Sequence, residues 1–429
     1  MSLGGTDRGG AGGPARAAAE QRAPRADHPI APEDLYRTPN ALAADYRRFR
    51  VSERLLLTGH SHQAWPDVAF EGQQRAWLDA AEHVDDKWDL VAVVADRVRA
   101  GYRRLLGDAD GDIALAASTH ELVVRMLSAL DLRARPRVVT TDGEFHSIRR
   151  QLDRLAEEGL EVVKVPSAPV ETLAERLAVE VNDRTACALV SSVLFATAEI
   201  VPHLRAVARA CEARGAALLV DAYHHLNVVP LDLSDAGLAM AFVTGGGYKY
   251  CQLGEGNAFL RVPPDLELRP VFTGWFADFD GRADARAPGR VVYASGAGRW
   301  AGATFDPTAH YRAAAVFDFF EARNLTPALL REVSRHQVGL LARLCAEGDL
   351  GARVRLPREA DSAGMADLAG FLALRTPHAG PLSEALRESG VWTDARADIL
   401  RLGPAPYLRD DQLEEAVRRL AGLIRSVAR

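Results

Sequence analysis

From about residue 112 the chain alternates short apolar runs with amphipathic segments, and this alternation limits the possible folds most. In the amphipathic segments the apolar residues recur at spacings of three and four, as in helices that cover a sheet. Strands that alternate with such helices form a parallel sheet covered on both faces. The predicted strands are residues 112–118, 137–142, 161–166, 185–193, 216–223 and 240–246.

The pattern of the sequence changes after residue 306, where long helical segments replace the alternation. We therefore predict an α/β fold with a large, mostly parallel domain over residues 71–305 and a smaller C-terminal α+β domain over residues 306–429. Residues 31–70 are predicted to contribute to the ligand site and to the small domain. Residues 1–30 are rich in Gly, Ala and Arg and lack the apolar stretch of a secretory signal, which predicts a disordered leader.

Charge and cysteine content narrow the class of function. With 52 basic and 58 acidic residues the formal net charge is −6, unlike the basic excess of nucleic-acid binders. No apolar run approaches the roughly 18 to 20 residues that span a membrane. The cysteines are widely scattered, without the pairs typical of zinc sites or disulfide frameworks. We expect a cytoplasmic protein without a metal site that binds a small molecule, not nucleic acid or membrane.

Lysine is rare in this chain. Only Lys87, Lys164 and Lys249 are lysine, and the other 49 of the 52 basic residues are arginine. A lysine in this background offers what arginine does not, an amine that deprotonates when buried and condenses with an aldehyde. Lys249 follows an apolar run and three glycines, which let the backbone approach a ligand closely. The segment alone fits a ligand-binding lysine and a surface lysine on a turn equally well.

A carboxylate in the sequence suits an aldehyde cofactor of this kind, pyridoxal-5′-phosphate (PLP). PLP accepts electrons while its pyridine nitrogen is protonated, which requires a fixed carboxylate beside that nitrogen. Asp221 ends an apolar run 28 residues before Lys249, about one strand-to-strand step, and His224 follows it closely. The alternatives are a capping role for Asp221 and simple packing for His224. The combination with Lys249 favours the cofactor site.

Two further positions suit the phosphate and the ring of PLP. Ser118 and Thr119 stand where the first predicted strand gives way to a helix, and helix-start amides with hydroxyls bind phosphate. The same residues are also ordinary helix caps. Phe145 follows the next strand, where it would stack on a flat ring or serve as a core aromatic residue.

With these residues in this order, the chain resembles the class V aminotransferase group of PLP enzymes (fold type I) and within it is most similar to kynureninase. The resemblance runs from about residue 55 to the C-terminus. It rests on a GYK segment followed by tyrosine at 247–250 and on DAYH at 221–224. It implies a PLP-dependent transferase-like fold, PLP bound to Lys249 as a Schiff base, an amino-acid substrate, and a homodimer with shared active sites.

The resemblance also implies roles for residues outside these segments. Tyr248 would reach the cofactor phosphate, Trp275 lies in a tryptophan-bearing loop, and Thr304 ends a stretch that a neighbouring subunit lends to the phosphate. Segment 59–66 resembles a substrate loop, which assigns His60 and Ser61 to the substrate. Arg401 would clamp the substrate α-carboxylate with its planar fork, although an arginine at a strand end is also a common surface residue.

Three departures from the kynureninase pattern fall where a substrate would sit. Phe145 is followed by His, Ser and Ile instead of Pro, Thr or Ser, and Asp or Asn; the early loop carries His60 and His62; the tryptophan loop reads WFAD. The PLP-binding residues are unaffected.

The reaction that the resemblance implies is kynureninase-like hydrolysis between Cβ and Cγ of a kynurenine-type amino acid, through aldimine and quinonoid intermediates. An aminotransferase or a β-eliminating lyase of the same fold is the alternative, and a catalytically silent PLP-binding protein is a third possibility. A cysteine desulfurase is disfavoured because no cysteine lies between Cys251 and Cys345 to supply a nucleophile on a loop.

Overall fold

The computed structural model describes residues 30–264, 266–278, 289–348, 350, 354–356 and 367–427. The predicted disordered leader, residues 1–30, lies outside these residues except for Ile30. No helix among the described residues has both the length and the apolar character needed to cross a membrane.

The described strands and helices follow the predicted alternation. The strands are β1 Leu55–Leu56, β2 Asp112–Ala116, β3 Arg137–Thr141, β4 Glu161–Val165, β5 Thr185–Ser191, β6 Ala217–Asp221, β7 Phe242–Gly246, β8 Ala258–Val262, β9 Leu372–Arg375, β10 Val391–Trp392, β11 Asp394–Arg396 and β12 Ile399–Leu402. The α-helices are α1 Val68–His83, α2 Lys87–Leu105, α3 Thr119–Ser128, α4 His146–Glu157, α5 Leu173–Glu180, α6 Arg205–Ala213, α7 Thr308–Ala322, α8 Pro327–Glu347, α9 Ala379–Glu388 and α10 Asp410–Val427. Short 3-10 helices are described at Pro32–Leu35, Ala43–Phe49, Val170–Thr172, Trp275–Asp278 and Gly296–Trp300.

The large sheet contains seven strands among the described residues, in the order β2-β8-β7-β6-β5-β3-β4. All its neighbours pair in parallel except β8, which is antiparallel to β2 and to β7. The six predicted strands and the mostly parallel fold are therefore confirmed. The sequence alone did not reveal β8, because this strand follows the glycine-rich segment directly, without the kind of helix that follows β2, β3, β4 and β5.

Apolar side chains pack on both faces of the sheet. Along β6, Leu218 and Val220 belong to one buried cluster and Leu219 to the other, as the alternation of side chains along a strand requires. The cluster on the Leu219 face includes Leu122 of α3 and Leu152 of α4. Helices therefore cover both faces, as the periodicity predicted, and the strand ends are left as the accessible edge.

The N-terminal segment packs against the C-terminal part of the chain. Strand β1 pairs in parallel with β10, and the Gln412 side chain donates to the carbonyl oxygens of Val51 and Arg54. A second sheet has the order β11-β12-β9 and is antiparallel. The described part of residues 306–429 also includes α7, which packs on α2 through Phe317 and Tyr102. The predicted domain boundaries stay a prediction.

The parallel strands bring several predicted residues to one edge of the sheet. Asp221 ends β6, Gly246 ends the neighbouring strand β7, and Phe145 follows β3. In open α/β sheets, ligands bind at the carboxyl ends of the strands. Gly246 matters here because a Cβ atom added to it would collide with the Oη atom of Tyr223, so a side chain at 246 would push the tyrosine away from this edge.

We expect Gly246→Ala to destabilise the protein by about 1–3 kcal/mol, the usual cost of overpacking a filled interior. The position has no positive φ, so the cost would come from the collision with Tyr223. Gly422→Ala is the matched control, since no atom lies within 4 Å of its added Cβ. That change should leave stability equal or raise it by about 0.5–1 kcal/mol. Urea denaturation of both variants measures this, and an unchanged midpoint for Gly246→Ala would contradict the packing account.

Candidate active site

Lys249 lies just after β7, with its amine enclosed by side chains. The residue is 5% exposed, and its Nζ atom is 2.7 Å from Nε2 of His224. Nζ also lies 4.3 Å from the ring centroid of Tyr223, 5.3 Å from that of Phe145 and 5.7 Å from that of Tyr248. The amine therefore projects into a space walled by aromatic rings.

Burial changes the protonation of this amine. It lowers the pKa of Lys249 to about 7, because the charged form loses its hydration; Asp221 opposes the shift and Arg401 adds to it. An ordinary lysine has a pKa near 10.5, so an unperturbed amine is almost fully protonated at neutral pH. A substantial fraction of Lys249 is the neutral, nucleophilic amine at neutral pH.

Asp221 supplies a buried carboxylate to the same space. It is 9% exposed, and its Oδ1 atom accepts a hydrogen bond of 2.9 Å from the backbone amide of Tyr223. Burial raises the pKa of Asp221, while the Tyr223 amide and the charge of Lys249 act to lower it. The carboxylate and the lysine thus stabilise each other's charged forms. No donor among the described residues is hydrogen-bonded to Oδ2, which leaves this oxygen for a bound molecule.

One ring nitrogen of His224 is hydrogen-bonded to Lys249, and the other has no partner among the described residues. The Lys249 amine donates to Nε2, and burial holds the pKa of His224 well below its usual value, so the ring is neutral. The Nδ1 atom is buried and has no hydrogen-bond partner among the described residues. A buried polar atom without a partner costs free energy, and a bound ligand that bonds to Nδ1 would relieve that cost.

Phe145 stands at the start of α4 and is half-buried. Its ring centroid is 5.4 Å from that of Phe195, with the ring planes at 83°. This T-shaped contact fixes the Phe145 ring against Phe195. The Lys249 amine lies near the same ring.

Glu144, which the sequence reading missed, ties two strand ends together beneath Phe145. Its carboxylate accepts hydrogen bonds from the Thr141 hydroxyl (2.7 Å), the Ser191 hydroxyl (2.6 Å) and the Ser191 amide (3.1 Å). It is 1% exposed, and burial raises its pKa to about 7. No local signal in the sequence distinguishes this glutamate from a turn residue, because its partner Ser191 is distant along the chain.

The start of α3 is the candidate phosphate position. Ser118 is the N-cap residue, and its hydroxyl accepts a bond from the Glu121 amide. Ser118 and Thr119 are half-buried, so the helix start is accessible. Tyr248 precedes Lys249 in the sequence. Its ring centroid is 5.0 Å from that of Tyr223, and it stacks on His62 with 4.9 Å between the ring centroids. Free amides of a helix start and nearby hydroxyls are the groups that bind a phosphate.

Arg401 is held by two bonds to one carboxylate. Its Nε and Nη2 atoms each donate to an oxygen of Asp394 at 2.6 Å, and Nη1 donates to the Phe195 carbonyl oxygen at 2.6 Å. A guanidinium has five N–H donors, so two remain, one on each terminal nitrogen. That pair is a fork suited to a carboxylate. Asp394, also missed from the sequence, therefore fixes Arg401 in place without using up its binding capacity.

His60 completes the support of Asp394. Its Nε2 atom donates to Oδ1 of Asp394 at 3.0 Å, its side chain is fully buried, and burial lowers its pKa to about 4. Burial acts to raise the pKa of Asp394, but the bonds from His60 and Arg401 outweigh it and hold that pKa far below its usual value. A Cβ at Gly403 would collide with the His60 ring, which explains glycine there.

The other predicted substrate and subunit residues lie further out. The Ser61 hydroxyl donates to the Thr58 carbonyl oxygen at 3.1 Å. Trp275 is 46% exposed, and its Nε1 donates to the Thr304 hydroxyl at 3.2 Å. The structure thus brings together Lys249, His224, Phe145 and Tyr248 by direct contact. The roles of Ser61, Trp275 and Thr304 stay predictions.

The described residues fit PLP. A neutral amine, a buried carboxylate with one open oxygen, an unpartnered His224 nitrogen, an aromatic ring and an accessible helix start are the donor and acceptor groups that this cofactor needs. Among the described residues no group of His, Cys, Asp and Glu is arranged to hold a metal ion.

The model of the kynureninase C-terminal domain family matches residues 330–420. The uncharacterized aminotransferase YcbU of Bacillus subtilis is 24% identical over 352 residues, which is 80% of this chain and 88% of YcbU. Isopenicillin N epimerase of Streptomyces clavuligerus is 31% identical over 223 residues, 49% of this chain and 54% of the epimerase.

Solved structures show the same fold. A mutant of C-DES with glycine covalently linked to its PLP cofactor superposes with a TM-score of 0.76 at 17% identity, covering 88% of this chain and 98% of that one. The cysteine desulfurase of Thermococcus onnurineus NA1 superposes with a TM-score of 0.72 at 15% identity, covering 91% and 99%. The predicted fold is therefore confirmed over nearly the whole length of those chains.

The lowered pKa of Lys249 predicts how the apo-protein binds PLP. The neutral amine reacts with the aldehyde, so the rate of binding should increase with pH up to about 7 to 8 and then level off. Stopped-flow absorbance of apo-protein mixed with PLP measures this rate, with an N-acetyl-lysine reaction as the unperturbed reference. A protein rate that still increases in parallel with the reference above about pH 9 would contradict the burial of the amine.

Proposed function

We propose that this chain is a PLP-dependent enzyme of the class V aminotransferase fold group, which the family-model match, the relative YcbU and the shared fold support, and that it hydrolyses an amino acid of the kynurenine type between Cβ and Cγ. The observation that carries the proposal is the Lys249 amine, buried beside His224 and subject to the charges of both Asp221 and Arg401. It joins a cofactor-holding group and a carboxylate-binding group in one site.

The cofactor is held by groups from the strand ends. When bound, PLP supplies a ring that takes up the electron pair left on the substrate when a bond at its α-carbon breaks. Lys249 would hold the aldehyde carbon, Asp221 would keep a proton on the pyridine nitrogen, and the start of α3 at Ser118 and Thr119 would bind the phosphate. His224 would bind a polar group on the cofactor ring, and Phe145 would bind the face of that ring.

Lys249 would have a second role when the amine of a substrate is bound in the site. With a pKa of about 7 its amine could accept a proton from the substrate α-carbon and return it later. His224 stays neutral beside it, because burial and the neighbouring cations disfavour a second positive charge. The lysine is therefore the proton carrier of the site.

Arg401 binds the substrate carboxylate in this proposal. Its two open N–H donors lie on the terminal nitrogens, while Asp394 and the Phe195 carbonyl hold the other three. The residue is 3% exposed, so the pair it forms with a carboxylate is shielded from water and is stronger than a surface ion pair. A carboxylate fixed there orients the α-carbon towards Lys249.

Two findings support hydrolysis among the reactions of this fold. The lysine segment resembles that of kynureninase, and the matching family model spans β11, β12 and Arg401. The reaction consumes water and divides the substrate into alanine and the acid of the leaving acyl group. For L-kynurenine these products are alanine and anthranilate.

A transaminase or β-eliminating lyase is the second candidate. It is favoured by the departures at 146–148 and at the WFAD loop, and by the name of the relative YcbU. A desulfurase is less well supported, because all four cysteines are described as buried free thiols, and burial raises the pKa of Cys251 and Cys345. A silent PLP-binding protein would not need a lysine of lowered pKa together with a carboxylate-binding arginine.

We further propose a homodimer with shared sites in a reducing compartment such as the cytoplasm. Trp77 is 78% exposed and Leu78 57% exposed on α1, an apolar surface suited to a second copy. Trp275 and Thr304 would contribute to the partner's phosphate position. The buried free thiols fit a reducing compartment.

The PLP-loaded enzyme incubated with L-kynurenine tests the reaction. We expect equal amounts of anthranilate and alanine, followed by fluorescence and amino-acid analysis, and no release from Lys249→Ala. A 2-oxo acid formed together with pyridoxamine phosphate would show transamination and overturn the hydrolytic proposal. Recovery of intact L-kynurenine after long incubation would overturn it as well.

A further inference from the structure

Glu144 joins two neighbouring strands where their pairing stops. The register of β3 and β5 runs only to Val139 and Ala188, two and three residues before these strands end. Beyond that point, Oε1 of Glu144 accepts hydrogen bonds from the Thr141 hydroxyl at 2.7 Å and the Ser191 amide at 3.1 Å, and Oε2 accepts one from the Ser191 hydroxyl at 2.6 Å. The side chain of Glu144 therefore fastens the two strand ends together beyond their last paired residues.

The strand end at Ser191 is in turn fixed to Asp221. Ser191 lies directly opposite Asp221 in the parallel register of β5 and β6. The amide and the hydroxyl of the next residue, Ser192, both donate to the Asp221 carbonyl oxygen, at 2.9 Å and 3.3 Å. Two bonds to one carbonyl restrain the residue that carries the carboxylate of the site. A displacement of the β5 end would therefore displace Asp221 as well.

Phe145 is the residue after Glu144 and shares the turn that leads from β3 into α4. It is the N-cap residue of α4. At the β3 end of the turn, the Gly143 amide donates at 3.1 Å to the Thr141 hydroxyl, which itself donates to Glu144. The turn is thus held at both ends. The position of the Phe145 ring, whose centroid is 5.3 Å from Nζ of Lys249, therefore depends on the position of Glu144.

The bonds of Glu144 are possible in both of its protonation states. The residue is 1% exposed, burial raises its pKa to about 7, and the charge of Asp221 acts in the same direction. At neutral pH a fraction of these side chains is therefore protonated. A protonated carboxyl keeps Oε1 as the acceptor of two bonds and donates from Oε2 to the Ser191 hydroxyl oxygen. The link therefore depends on the shape of the side chain and not on its charge, and an amide of the same shape can form the same bonds.

We propose that Glu144 is a positioning residue for the cofactor: it fixes Phe145 relative to Asp221, so that one side chain meets the face of the PLP ring while the other meets its nitrogen. These are the roles proposed above for the two residues, and an error of about 1 Å in the distance between them would weaken both contacts. Glu144 acts through Phe145 and does not itself touch the cofactor. The inference rests on the cofactor site of the proposed function, and it holds for any reaction that this site carries out.

Titration of the apo-protein with PLP, followed by absorbance and by circular dichroism of the bound cofactor, tests this inference. We expect Glu144→Ala to bind PLP about tenfold more weakly, the lower end of the loss when a supporting hydrogen-bonded residue is removed from a binding site. Glu144→Gln should stay within about twofold of the wild type, because its amide can form the same three bonds.

A double-mutant cycle separates positioning from general stability. Phe145→Leu alone should weaken PLP binding, and adding Glu144→Ala to it should cost less than about twofold more, because no aromatic ring is left to position. Ser191→Ala removes a single donor and should weaken PLP binding about threefold. That variant decides the matter if Glu144→Ala does not fold, and an unchanged affinity in it would overturn the inference.

Asp79→Ala is the matched control, because Asp79 is also a buried carboxylate that accepts a hydroxyl bond, at 2.8 Å from Tyr311, but it joins α1 to α7. It should lower the urea midpoint and leave the PLP affinity unchanged. An unchanged affinity in Glu144→Ala would overturn the inference, as would an equal loss that persists in the Phe145→Leu background. A wild-type protein that takes up no PLP would overturn the cofactor site itself, which distinguishes the two failures.

Discussion

The structure depends on the removal of one amine from water. Lys249 is enclosed by Tyr223, Phe145 and Tyr248, and this burial destabilises the charged form of its amine and lowers its pKa to about 7. A surface lysine would stay protonated and unreactive at neutral pH. The glycines before it allow this enclosure, since a side chain at Gly246 would displace Tyr223. The negative charge of Asp221 opposes this shift and keeps the pKa of Lys249 from falling further.

The fold brings these groups together because neighbouring parallel strands end at one edge. Asp221 and Lys249 follow adjacent strands, which is why a spacing of about one strand-to-strand step in the sequence was sufficient to pair them. The six predicted strands were recognisable as short apolar runs, and amphipathic helices follow four of them, β2 to β5. Strand β8 was not recognised; no helix separates it from β7, and it returns antiparallel beside that strand.

The parts of the site that the sequence did not reveal depend on contacts between distant segments. In the sequence, Glu144 resembles an ordinary turn residue. Its function in joining β3 to β5 is apparent only in the folded structure, where Ser191 lies beside it. Asp394 precedes Arg401 by 7 residues, but their pairing requires the hairpin register of β11 and β12. His60, which is hydrogen-bonded to Asp394, lies 334 residues before it in the sequence. The contacts of Asp394 with Arg401 and His60 make the C-terminal part of the chain one side of the site, opposite the strand ends of the large sheet.

Chemical trapping of the cofactor tests the central claim most directly. Borohydride reduction of the PLP-loaded protein fixes the phosphopyridoxyl group to the amine that holds it, and peptide mass mapping then locates it among Lys87, Lys164 and Lys249. The account predicts one equivalent per chain on the peptide that contains Lys249, and none on the other two lysines. Labelling of Lys87 or Lys164 with Lys249 unmodified would contradict it.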